Sequence, residues 1–211
     1  MDMSRQRSNQ QASGTRISRI IGTAGTRLLA GATVLATAAG VVLLGAPLSA
    51  QADDHHDHAR FSWDQRVVTV KSTVPSAWGV NTAVRRWNER RVSGQPRLVV
   101  RNHISNPDIR IRTVHAPAQW WTGLSSGSAD GATLTTMTIK LNTATIGKPE
   151  LKYDGSFRAA KYWTTSHELG HALGLEHRQN VTRSVMSYSN PWWQTEGRPS
   201  GYDFRQLGRL Y

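Results

Sequence analysis

Residues 167–177 read His167-Glu168-Leu169-Gly170-His171-Ala172-Leu173-Gly174-Leu175-Glu176-His177. His167 and His171 are four positions apart, so on an α-helix they lie one turn apart on one face with Cβ atoms roughly 6 Å apart. At that separation both imidazoles reach one ion at the usual zinc–nitrogen distance of about 2.0–2.1 Å. Residues 157–163 lead into the motif without Gly or Pro, and Asp154 or Ser156 is placed to cap the start of the helix. Leu169, Ala172 and Leu173 give that helix an apolar flank for a core. Gly174 ends the regular run, since glycine takes a positive φ at little cost. A turn there returns His177 as a third ligand and leaves a fourth position open, as catalytic zinc sites require.

Glu168 is rotated about 100° from His167 around the helix, so it faces the open position instead of the ion. Zinc lowers the pKa of bound water to about 7, and Glu168 is placed to take that proton and pass it to a leaving amine. Glu176 lies beyond the turn and reads as solvent-facing or as a partner of a ligating histidine. The alternative is a structural zinc site. Such sites usually close the fourth position with a protein ligand, often Cys, and the chain has no Cys.

After the motif comes Ser184-Val185-Met186-Ser187-Tyr188. The combination resembles the metzincin clan of zinc endopeptidases, in particular its small bacterial matrixin-like and serralysin-like members. The resemblance extends over about residues 66–211. It implies that Met186 forms a polarizable floor beneath the histidines, and that Tyr188 stabilises an oxyanion; a packed tyrosine is the plainer alternative for Tyr188. It also implies that Pro191, Trp192 and Trp193 wall the substrate pocket, where ordinary packing is again the alternative. Residues 202–211 resemble the closing helix of these proteins. The expected cofactor is one catalytic Zn2+. No calcium-loop pattern is visible, so a Ca2+ requirement is left open. There is no cysteine-switch latency device, because there is no Cys.

The first 52 residues differ from the rest. Arg5, Arg7, Arg16, Arg19 and Arg27 precede an uncharged run over residues 28–50, and Ala50-Gln51-Ala52 is a small-x-small cleavage pattern. This is the plan of a secretory signal peptide, with an uncleaved membrane anchor as the rival; either way the catalytic part lies outside the membrane. Residues 53–65 begin Asp-Asp-His-His-Asp-His and read as a disordered polar tail. Residues 66–211 form one domain with room for a single core.

Within it, residues 66–70 read as a strand. Val80, Ala83, Val84 and Trp87 then follow at helical spacing, 98–100 is a second strand, and Ile109 and Ile111 alternate with arginines in a third. The Gly/Ser/Thr-rich stretch 116–136 holds an edge strand, and a further strand leads toward the histidine helix. The expected fold is α/β (α+β): a zincin-like twisted mixed sheet of about five strands with a crossover helix, an active-site helix and a C-terminal helix.

The chain carries a net +12, which suits an anionic cell-wall surface or simply solubility. The sequence contains no nucleic-acid motif. The expected protein is a monomeric, secreted zinc endopeptidase acting on protein or peptide substrates. The alternatives are an inactive or weak metzincin-like binding protein of the cell surface, drawing on eight Trp, and a zinc hydrolase of cell-wall peptide crosslinks.

Overall fold

The computed structural model describes residues 48–49, 61–179, 181, 183–187 and 195–211. The chain divides into a unit of residues 1–42 and a unit of residues 43–211, and every described residue belongs to the second. Most of the expected signal segment, residues 53–60 of the expected tail, Tyr188, Pro191, Trp192 and Trp193 lie outside the described residues.

Six strands form one sheet: β1 (Leu48–Ser49), β2 (Val67–Ser72), β3 (Arg97–Val100), β4 (Ile109–Val114), β5 (Gly123–Asp130) and β6 (Thr133–Asn142). Their spatial order is β1-β5-β6-β4-β2-β3. Strands β3, β2, β4 and β6 run parallel, while β5 is antiparallel to β6 and the two-residue β1 is antiparallel to β5. The four helices are α1 (Val80–Asn88), α2 (Thr143–Ile146), α3 (Arg158–Ala172) and α4 (Gly201–Leu210). This is the expected mixed α/β architecture, with α1 as the crossover between β2 and β3.

The periodicities explain the layers. In β4, Ile109 and Ile111 are fully buried and alternate with exposed Arg110 and Arg112, as a strand with one core face must. In α1, Val80, Ala83, Val84 and Trp87 face inward. Helix α3 packs against α1 on one side and against β5 and β6 on another. Trp87 joins these elements: it is fully buried, and its indole N–H donates to the Ser166 carbonyl at 2.9 Å. That bond satisfies the polar atom of a large side chain placed in the core.

Residues 61–65, which the sequence places in a disordered tail, pack onto the domain; residues 53–60 of that tail lie outside the described residues. Trp63 is buried, its indole N–H donates to the Ala172 carbonyl at 2.7 Å, and Ser62 bridges to Thr133. Phe61 and Trp63 carry apolar surface that offsets the entropy of ordering residues 61–65. Tryptophans 63, 78 and 87 are core residues, so a Trp-rich recognition surface has fewer members than composition suggests; Trp120 is exposed.

Among the described residues, no helix is long and apolar enough to cross a membrane.

Candidate metal centre

Helix α3 starts as the sequence requires, with one refinement. The N-cap position is Phe157, which makes no side-chain cap hydrogen bond; the Ser156 hydroxyl, one residue earlier, accepts from the Arg158 N–H at 3.1 Å. The helix ends in a Schellman turn. The N–H of Leu175 donates to the Gly170 carbonyl at 3.0 Å and that of Gly174 to the His171 carbonyl at 2.8 Å, the pair of bonds that defines this motif. Gly174 has φ +93°, and a Cβ there would collide with the Phe61 carbonyl oxygen. Glycine is therefore required twice at this position, by conformation and by space.

The turn brings His177 back to the helix. The Nε2 atoms of His167, His171 and His177 form a triangle with sides of 2.9, 3.0 and 3.2 Å. His167 Nδ1 lies 2.8 Å from the Val185 carbonyl and His171 Nδ1 lies 2.7 Å from the Leu175 carbonyl. A carbonyl oxygen only accepts, so both Nδ1 atoms carry the proton and both Nε2 atoms present bare lone pairs. Lone pairs this close repel unless a cation sits among them. Three ligands of a tetrahedral zinc at about 2.0–2.1 Å are roughly 3.3 Å apart, close to the observed triangle.

The three histidines are the one group of metal-ligating side chains of this kind found among the described residues. Glu176 is not in it; it is half-buried beyond the turn. The site can hold a metal ion such as zinc, and its donors fit one.

Burial shapes the electrostatics. Desolvation holds His167 down to about 4. His171 is held to about 3 by desolvation and then by the neighbouring His167, while desolvation, then His171 and His167, keep His177 far below the ordinary range. The rings are therefore kept neutral, the form that ligates metal.

Glu168 is buried between α3 and the strand β5. Burial pushes its carboxyl up to about 7, opposed by a hydrogen bond from Ser125. The Ser125 hydroxyl donates to Glu168 Oε2 at 2.7 Å and lies 3.0 Å from the Glu168 carbonyl oxygen. Gly123, two residues earlier on the same strand face, leaves the space that the carboxylate fills: a Cβ there would be 2.6 Å from both Cγ and Oε1 of Glu168. The reading of the sequence missed Ser125 and Gly123. Within a Gly/Ser/Thr-rich stretch they carry no local signal, and only strand pairing sets them against α3.

A second layer orients the ligands. Met186 is buried with its sulfur against Gly170, the residue just before His171, and Trp87 packs beside it. Its neighbour Val185 supplies the carbonyl that fixes His167. That turn is in turn held by Asp203 of α4, which accepts from the Ser184 hydroxyl and from the Val185 N–H at 3.2 Å. Asp203 also completes a capping box with Ser200 at the start of α4. The Ser200-x-x-Asp203 spacing was a visible signal for the helix start, but not for the link to the metal centre. The Trp163 ring stacks on His167 at 4.6 Å between centroids.

Strand β5 pairs with β6 along its length. On its other side, among the described residues, it meets only Leu48–Ser49, opposite Gly127 and Ser126. The stretch Gly123–Ser125 beside Glu168 is open on that side among the described residues.

A scan against protein-family models finds no match for this chain, and a search of curated proteins finds none either.

Proposed function

We propose that this protein is a zinc-dependent endopeptidase of the metzincin type. The observation that carries the reading is the combination on one helix and its turn. Three Nε2 atoms lie 2.9–3.2 Å apart, and a carboxylate adjacent to the first ligand is buried and held by Ser125. A zinc ion in that triangle would act as a Lewis acid on a peptide carbonyl and make water acidic enough to be deprotonated near neutral pH.

Glu168 is the base in this scheme. Its carboxyl, raised to about 7, is matched to accepting a proton from the attacking water and returning it to the departing amine nitrogen. The open rim of β5 suits a peptide substrate that adds as a further strand through main-chain hydrogen bonds. The metzincin resemblance supplies the remaining roles: Met186 beneath the ligands, Tyr188 toward the oxyanion, and Pro191, Trp192 and Trp193 around the pocket. The arginine-led apolar leader supports a secreted enzyme that acts on extracellular protein or peptide, as a monomer.

The test is Glu168→Gln. The variant should bind one zinc per chain, measured by elemental analysis, and lose hydrolysis of a peptide library. Full activity in that variant would overturn the mechanism, and absence of zinc from the parent protein would overturn the metal assignment.

A further inference from the structure

The arginines of this protein are unevenly distributed. Residues 66–101 contain eight Arg and Lys against the single acidic residue Glu89. The fold gathers part of this charge into two adjoining clefts at the β3 edge of the sheet. One, of about 540 Å3, lies between α1 and β3 and is lined by Asn81, Arg85, Asn88, Arg91 and Arg97, over a floor of Val84 and Leu98. The other, of about 520 Å3, shares Arg91 and adds Arg66.

Asn81, Arg85 and Asn88 fall at i, i+4 and i+7, so they form the outer stripe of a helix whose inner stripe is core. All four arginines are exposed, and among the described residues none makes a hydrogen bond or ion pair through its side chain. A stable surface usually intersperses both signs of charge. Three exposed guanidinium groups line one cleft and Arg66 joins Arg91 at the other; such groups suit phosphate or carboxylate, which the planar fork binds in bidentate fashion.

The lining also narrows the ligand. No aromatic side chain lines either cleft, so there is no platform on which nucleic-acid bases would stack. The two apolar floor residues, Val84 and Leu98, are buried and unavailable for insertion into a bilayer. The two clefts meet at the shared Arg91, so together they offer anion contacts to a chain longer than one anionic group.

We propose that this double cleft docks a linear phosphodiester polymer without bases. Docking there is independent of the metal centre. Strand β3 is the sheet edge opposite the β1–β5 side, so a protein held by this face keeps the Gly123–Ser125 rim free.

The probe is a fluorescent poly(glycerol phosphate) of about ten units, added to the purified full chain and followed by anisotropy across a salt series. Binding should weaken steeply with salt. The triple variant Arg85→Gln/Arg91→Gln/Arg97→Gln should lose at least about tenfold in affinity, with a salt slope shallower by about 2–3, one increment per lost phosphate contact. The charge-matched variant Arg112→Gln/Lys148→Gln/Lys152→Gln, at exposed positions that line neither cleft, should stay within about threefold, since it removes no cleft contact. Thermal melting of both triple variants should match the parent, since the side chains removed are exposed. Three results would overturn the proposal: no salt-sensitive binding, equal loss in the two triple variants, or preferential cleft-dependent binding of an oligodeoxynucleotide or of anionic phospholipid vesicles.

Discussion

Gly123→Ala tests how the proposed general base, Glu168, is held, separately from the proposed metal site. The added Cβ would lie 2.6 Å from Glu168 Cγ and Oε1 and 2.8 Å from Cδ. Non-bonded carbon atoms are comfortable at about 3.5–4.0 Å, so the carboxylate must retreat by roughly 1 Å. Glu168 is 5% exposed and tied to Ser125 at 2.7 Å; that retreat breaks its one favourable side-chain contact with the strand. Overpacking of this kind costs about 1–3 kcal/mol of stability. A displacement of about 1 Å at a reacting group costs on the order of 10²-fold in rate, equivalent to about 3 kcal/mol in the barrier. The three histidines belong to α3 and its turn and do not touch Gly123, so zinc content should be unchanged. The assay is kcat and KM on a fluorogenic peptide, with zinc stoichiometry and melting temperature measured on the same preparation. A kcat within twofold of the parent at full zinc occupancy would refute the role given to Gly123. Parallel loss of zinc and activity would refute the separation of base and metal.

Three further outcomes follow from the site. Ser125→Ala removes the donor that favours ionised Glu168, so the carboxyl should rise further; the acidic limb of the pH–rate profile should move to higher pH with KM little changed, which initial rates across pH 5–9 would reveal. Asp203→Ala leaves the Ser184 hydroxyl and Val185 N–H without their acceptor and removes half of a capping box. Denaturant unfolding should show a loss of about 2–4 kcal/mol, and competition with a chelator should show zinc affinity down by about 10–100-fold, because the carbonyl that orients His167 is no longer held. The metal-free protein should lose stability as pH falls from about 6.5 toward 4, since His167, His171 and His177 have folded-state values below 6.5 and the unfolded chain binds the extra protons. Glu168, raised to about 7, acts in the opposite sense: its contribution is present in acid and is lost as pH rises through 7. Three groups against one give net acid destabilisation, and denaturant titrations with chelator at pH 7.5 and 5 should show it.

Much of the metal centre was legible in the chain because it is local. The i, i+4 histidines need only a helix, and Gly174 needs only a Schellman turn to return His177. The helix α1 and strand β4 were equally readable, since an apolar stripe of period 3.6 or 2 can be satisfied in one way. The packing of residues 61–65 was not legible, because an acidic run precedes two aromatics and the burial of Trp63 depends on the distant Ala172.

What the sequence by itself determined is the ligand set, its spacing and the order of the elements. Tertiary structure alone decided what surrounds Glu168. Strand pairing between β5 and β6 brings Ser125 and Gly123 across 43 and 45 positions of sequence to that carboxylate. It also decided that Asp203 on the last helix steadies the turn beneath the first ligand. The physical reason is range. Helical and turn contacts are set within a few residues, whereas the charge state and aim of a buried base depend on which distant segment closes over it.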